Sequence, residues 1–306
     1  MRVVVVGGGA IGSLYAAHLA SVADVVVLTR RAEHAQALRE RGLRVSGRHD
    51  LVAQLGATHE PAELPDADLC IVATKATDVE AAAVALQGRL PSATVMTVQN
   101  GLGAEEAVRR RGHWPLISAV TFMSGNRHDD AHVEYILDTE SWLGPYEDTP
   151  FGTVERVSDL LVRAGLKARA FRDLRPAQWS KLIFNATVNS VSALTELPHD
   201  THFANEGCPA ALGHVVHELV EEGKRVAAAR EIPLHHDPWE MNVLATRRGS
   251  AHVPSMLEDV RAGRPTEIDS ITGALVLEAD RVGLDVPLHR ALYALVKAKE
   301  QRCVSA

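Results

Sequence analysis

Through the first half of the chain, short runs of β-branched and aliphatic residues alternate with longer segments whose apolar positions recur at helical spacing. The runs are residues 2–6, 24–28, 69–73, 94–98 and 116–120; helical patterns cover 10–20, 31–41 and an alanine-rich stretch at 76–86. Strands that read as unbroken apolar runs are buried on both faces, so this alternation predicts βαβ units around a parallel sheet. Residues 43–46 and 51–58 read as the strands of a hairpin. Beyond Val120, residues 133–137 and 141–144 suggest antiparallel strands, followed by a helix over 153–164 and a strand over 168–171.

The pattern then changes. Residues 172–176, Arg-Asp-Leu-Arg-Pro, are charged and broken by Pro176, and from Ala177 onward the periodicity is helical. Breaks fall at Pro198, Pro233, Pro238, Pro254, Pro265 and Pro287. A length of 306 residues favours two domains. The expectation is an α/β domain over 1–172 followed by an all-α domain over 173–306.

Within that helical half, Trp-Ser-Lys-Leu-Ile-Phe-Asn-Ala-Thr-Val-Asn-Ser at 179–190 is mostly apolar, interrupted by Lys181, Asn185 and Asn189. On a helix these three fall at about 0°, 40° and 80°, and Ser192 joins the same face at about 20°. A lysine aligned with carboxamides in apolar surroundings suits a cleft wall offering one proton donor and fixed hydrogen-bond donors. The plainer reading is a snorkelling lysine beside asparagines that cap neighbouring loops.

Upstream, Gly7-Gly8-Gly9-Ala10-Ile11-Gly12 satisfies G-x-G-x-x-G directly after the first strand and at the opening of a helix. Gly7 permits the tight turn, Gly9 lets a pyrophosphate approach the backbone, and Gly12 allows close helix–strand packing. With Ala10 and Ile11 at the helix N-terminus, this predicts a Rossmann-like dinucleotide site. An NAD site usually carries an acid at the end of strand two. Here Thr29-Arg30-Arg31 stands there instead, with no acid before Glu33. Arg30 can pair with a 2′-phosphate, which favours NADP over NAD, with Arg31 a weaker candidate. Lys75 and Gln99-Asn100-Gly101 follow the next strands, at the carboxyl ends where open α/β sheets bind ligands. Turn chemistry and simple exposure are their plainer readings.

Composition removes several function classes. Hydrophobic residues make up 46% and aromatics only 4%, so the cores must be aliphatic. Net charge is −7 and no run of Lys or Arg forms a basic face, which argues against nucleic-acid binding. Cys70, Cys208 and Cys303 are far apart and odd in number, fitting a reducing cytoplasm rather than a disulfide framework. His235-His236-Asp237 reads as a polar loop, and no metal site is expected. No signal peptide and no membrane-spanning run is apparent. The long apolar helices near the C-terminus leave room for a homodimer.

Two further segments have good local explanations. Ser255 with Glu258, and Thr266 with Asp269, both fit capping boxes, and Glu267 would fall in a first helical turn.

Taken together, the glycine loop, Thr-Lys75, Gln-Asn100-Gly101-Leu-Gly, Trp179-x-Lys181-Leu-x-x-Asn185-x-x-x-Asn189 and Ser255-Met-x-x-Asp259 followed by Glu267-Ile-Asp resemble the ketopantoate reductase family. The resemblance runs from Arg2 to about Lys299, in the family's order and at comparable spacing. It implies NADPH-dependent reduction of 2-dehydropantoate to pantoate in pantothenate synthesis. By that resemblance Lys181 is the general acid and Glu267 binds substrate and helps set the state of Lys181. Asn185, Asn189 and Ser255 hold the substrate, Asn100 bridges cofactor and substrate, and Lys75 lies near the nicotinamide ribose. Residues 131–142 depart from the pattern, lacking the glycines that many relatives carry in this hairpin. Competing expectations are a related reductase of another 2-oxo acid or carbonyl compound, and a regulator that binds NADP without turnover.

Overall fold

The computed structural model describes residues 1–206, 211–247 and 253–304. The chain divides into two compact units: residues 1–99 with 104–174, and residues 100–103 with 175–306.

The first unit alternates strands and helices: β1 (Arg2–Val6), α1 (Ala10–Leu19), β2 (Asp24–Leu28), α2 (Ala32–Arg41), β3 (Leu43–Gly47), β4 (Leu51–Ala53), β5 (Gly56–Thr58), β6 (Leu69–Val72), α3 (Val79–Leu86), β7 (Thr94–Thr97), α4 (Ala104–Arg109) and β8 (Leu116–Thr121). Then come β9 (Ser124–Asp129), β10 (His132–Leu137), β11 (Ser141–Tyr146), α5 (Phe151–Arg163) and β12 (Ala168–Ala170). The main sheet has the order β12-β11-β8-β7-β6-β1-β2-β5. From β8 to β5 every pairing is parallel, while β11 runs antiparallel to β8. Val3 and Val5 enter one aliphatic cluster with Leu14, Leu38 and Ile117. Val4 and Val6 enter another with Cys70, Ala83 and Leu116. Successive side chains thus point to opposite buried faces, as the unbroken apolar runs demand. Burial of this kind pushes the Cys70 thiol up to about 12, so it is chemically inert.

The structure departs from the sequence pattern at two places in this unit. The expected strand over 51–58 breaks in two. Its first part, β4, forms the hairpin with β3, while β5 runs parallel to β2 on the main sheet. Gly56 permits the crossing, since a Cβ there would press on Val26 at 3.1 Å. The strands expected at 133–137 and 141–144 form, yet they do not pair with each other. β10 joins a four-stranded sheet, β4-β3-β10-β9, and β11 joins the main sheet. β9 is mostly exposed and polar, so it carried no hydrophobic signal.

The second unit is helical: α6 (Arg175–Thr195), α7 (Leu212–Ala229), α8 (Pro238–Thr246), α9 (Ser255–Arg261), α10 (Ala274–Arg281) and α11 (Pro287–Val304). A π-helical turn, Asp269–Gly273, leads into α10. Among the described residues this unit contains no strand. Leu182, Ile183, Ala186, Val220, Met256, Leu275 and Val296 form its main core. Gly223 of α7 lets that helix approach α6, because a Cβ would meet Ile183 at 2.7 Å. Buried Glu222 accepts hydrogen bonds from the Leu288 and His289 amides and the His289 ring, capping α11 from outside.

Neither capping box forms. Ser255 makes no side-chain cap at the start of α9. The Thr266 hydroxyl accepts from the Ile268 amide at 3.2 Å, one residue short of the box. Asp269 turns outward to Tyr293 and Lys297 instead. Asp237 of the His235-His236-Asp237 segment caps α8 through the Trp239 and Glu240 amides and pairs with Lys224. No group of metal-ligating side chains occurs among the described residues. No described helix is long and apolar enough to cross a membrane.

Candidate active site

At the carboxyl edge of the main sheet the glycine loop has the shape a dinucleotide needs. Gly7 adopts φ +104°, and its missing Cβ would meet the Thr74 amide at 2.9 Å. Gly12 is packed so closely that a Cβ would lie 1.9 Å from the Gly7 carbonyl oxygen. Over Gly9, by contrast, nothing lies within 4 Å of where a Cβ would stand. Gly9 provides no side-chain cap for α1, which leaves the first-turn amides at Ala10 and Ile11 without one. Crowding at the outer glycines and room at the middle one fit a pyrophosphate held on backbone N–H groups.

The two arginines after β2 are held differently. Arg31 pairs with Asp130, at the turn between β9 and β10. The Arg30 side chain is 86% exposed, with Asp78 3.6 Å away at the surface. Arg30 is therefore the more accessible partner for a phosphate, and surface pairing at that distance costs little to break.

Lys75 is exposed at the carboxyl end of β6. At the end of β7 the Gln99 carboxamide donates to the Val72 and Thr74 carbonyls at 2.8 and 3.0 Å. That anchor fixes the residue immediately before Asn100. It could have been suspected from a glutamine following a buried strand, but its partners could not.

Asn100 begins the segment that packs with the helical unit. Gly101 has φ +87°, and a Cβ there would lie 2.0 Å from the Ser270 carbonyl oxygen. The same carbonyl accepts from the Leu102 amide at 2.9 Å. Only glycine permits that approach, and it lays Asn100 beside α6 and Glu267. The Asn100 oxygen accepts from Lys181 Nζ at 2.8 Å and from Asn185 Nδ2 at 3.5 Å. Its own amide donates to Glu267 Oε2 at 3.1 Å. One carboxamide thus links the lysine, an asparagine and the acid.

Lys181 is half-buried on α6, while Asn185, Asn189 and Glu267 are buried. Burial lowers the Lys181 ammonium to about 8, and the nearby Glu267 carboxylate opposes that shift. A lysine poised there can give up a proton near neutral pH. Asn189 is 6% exposed. Ser192 is fully buried, and its hydroxyl has no hydrogen-bond partner among the described residues. Ser255 is exposed at the first position of α9, whose neighbour Met256 packs with Leu182 and Ile183. The structure therefore joins Asn100, Lys181, Asn185 and Glu267 by hydrogen bonds, with Asn189 further along the same helical stripe. Sequence reasoning missed the docking of Gly101 on Ser270, for which the glycine was the available signal.

The same two halves, in the same order along the chain, occur in known proteins. Residues 3–148 match the family model described as ketopantoate reductase PanE/ApbA, and residues 173–300 match its C-terminal counterpart. The chain is 31% identical over 301 residues to a 2-dehydropantoate 2-reductase of Pyrococcus horikoshii, covering 98% of each. It is 30% identical over 308 residues to the enzyme of that name from Halobacterium salinarum, covering 98% of this chain and 99% of the relative. Among solved structures, a PanE/ApbA family ketopantoate reductase from Ralstonia eutropha JMP134 superposes with a TM-score of 0.90 at 28% identity, over 99% of this chain and 100% of the other. A D-mandelate dehydrogenase solved with NADH and anilino(oxo)acetate shares the fold, with a TM-score of 0.90 at 24% identity over 99% and 100% of the chains. This chain belongs to the ketopantoate reductase family and is an oxidoreductase of the class acting on CH–OH groups.

Proposed function

We propose that this protein uses NADPH to reduce 2-dehydropantoate (ketopantoate) to pantoate, the hydride step of pantothenate synthesis. The observation that carries the reading is the hydrogen-bonded group Lys181–Asn100–Glu267, in which a lysine with a lowered pKa shares a carboxamide with a carboxylate. When bound, the dinucleotide supplies the hydride, on a loop formed by Gly7, Gly9, Ala10, Ile11 and Gly12. Arg30 would hold its 2′-phosphate and Lys75 its nicotinamide ribose.

Lys181 gives its proton to the substrate's C2 carbonyl oxygen, and its positive charge stabilises the alkoxide as it forms. Glu267 keeps the ammonium protonated against the cost of burial and accepts a hydrogen bond from substrate. Asn185, Asn189 and Ser255 hold the substrate's carboxylate and hydroxyl groups. Asn100 orients both the lysine and the reacting carbonyl. The reading also places a soluble enzyme in the cytoplasm. Leu288 and Leu295, exposed on α11, support pairing with a second copy, measurable by sedimentation.

Steady-state NADPH oxidation against a panel of branched, straight-chain and aryl 2-oxo acids tests the substrate. Ketopantoate should give the highest kcat/KM. A different best substrate would select the second reading, a reductase of another 2-oxo acid, which the glycine-free residues 131–142 favour.

A further inference from the structure

Glu267 is fixed from both sides by a single helix that carries no group of the proposed reaction. Immediately before it, the Thr266 amide and hydroxyl both donate to Glu300 Oε1, at 2.7 and 2.6 Å. The same hydroxyl accepts from the Ile268 amide, so the backbone before Glu267 is tied to Glu300 directly and the backbone after it through the Thr266 hydroxyl. Two residues after Glu267, Asp269 accepts from the Tyr293 hydroxyl at 2.7 Å and from Lys297 Nζ at 3.0 Å. Lys297 also pairs with Glu300 at 3.1 Å, closing the bracket. Tyr293, Lys297 and Glu300 stand at i, i+4 and i+7 on α11, which places them on one face. The inner side of the segment is held as well, since the Thr272 hydroxyl reaches the Ala186 carbonyl and Ser190 of α6.

We infer that Glu300, with Tyr293 and Lys297, is a positioning residue for the proposed reaction: through Thr266 it sets where the Glu267 carboxylate stands relative to Lys181. The inference rests on the proposed role of Lys181 as proton donor. Thr266 is 2% exposed, so its two donors have no water to turn to when Glu300 is removed. The group whose charge opposes the loss of the Lys181 proton is Glu267, and the ammonium donates to the Asn100 oxygen, which also receives Asn185. Around Glu300 itself the charged neighbours are Lys297 and, through it, Asp269. A Glu267 that drifts away from Lys181 leaves burial unopposed, and the lysine then loses its proton at lower pH.

The test is the pH profile of kcat/KM for the 2-oxo acid in the intact protein. In Glu300→Ala the alkaline limb should move down by at least ~0.5 pH unit, so that kcat/KM above pH 8 falls about threefold or more while the loss at neutral pH is smaller. Binding of NADPH, followed by its fluorescence, should stay within about twofold. Glu300→Gln keeps an acceptor oxygen for Thr266 and should restore most of both changes. Thr266→Ser, against Thr266→Val, asks the same of the other partner should Glu300→Ala fold poorly. A limb that stays in place in Glu300→Ala and Thr266→Val alike, whatever the rate, would overturn the inference. If Lys181→Ala itself left turnover intact, the proposed function would fail first. If Lys181→Ala is inactive and the limb still does not move, only the role of Glu300 is lost.

Discussion

The glycine loop and the Lys181 group are built in opposite ways. The loop is local: Gly7, Gly9 and Gly12 lie within one turn, and its shape follows from which atoms crowd each missing Cβ. The lysine group is remote: Asn100, Lys181 and Glu267 come from three segments up to 167 residues apart and meet through a carboxamide. A local site is determined by residue type and can be read along the chain. A remote one depends on what docks where, and here that turns on one glycine, Gly101, fitting against Ser270.

The contrast can be broken most sharply at Lys181. Replacement by alanine should lower turnover by ~10²–10⁴-fold while NADPH still binds, since the cofactor loop is untouched. In the unaltered protein kcat/KM should be level below about pH 8 and fall tenfold per unit above it if the ammonium is the proton donor proposed. Unchanged turnover in the variant, or a limb on the acid side only, would remove Lys181 from the chemistry.

Next come the two crowded glycines. Gly12→Ala forces a methyl group into the Gly7 carbonyl and should weaken NADPH binding by about 10-fold or more, consistent with an overpacking cost of ~1–3 kcal/mol. Gly101→Ala meets the Ser270 carbonyl with unfavourable φ and should instead lower kcat by a similar factor, leaving cofactor affinity nearly intact. If both variants lost the same property, the local and remote sites would not be separable as described. A smaller effect is expected at the exposed Arg30. Arg30→Asp should weaken NADPH by about tenfold relative to NADH, consistent with loss of one charge-assisted contact. Equal losses for the two nucleotides would show that another group reads the phosphate.

How much of this was legible follows the same division. The βαβ alternation was visible because both faces of the sheet are buried and the strands are therefore unbroken apolar runs. The polar stripe on α6 was visible because a helix places Lys181, Asn185 and Asn189 on one side. β9 was invisible, since an exposed edge strand needs no apolar residues, and the division of 51–58 depended on which sheet each part joined. The capping boxes at Ser255 and Thr266 were plausible from spacing alone. Tertiary partners took their place: Glu300 claimed Thr266, and Tyr293 and Lys297 claimed Asp269. No pattern in the sequence signals the π-helical turn after Glu267, whose Ser270 carbonyl is the one that receives Leu102.

The assignment of residues 100–103 to the helical unit, between two stretches of the sheet unit, bears on how such a chain can change by inheritance. A single crossover at residue 174 would pair new helices with a loop shaped for the old ones. Asn100, Gly101 and Leu102 would then face a carbonyl and a core that they had not evolved against. Exchange of whole halves between family members is therefore penalised unless the four-residue loop travels with the helices.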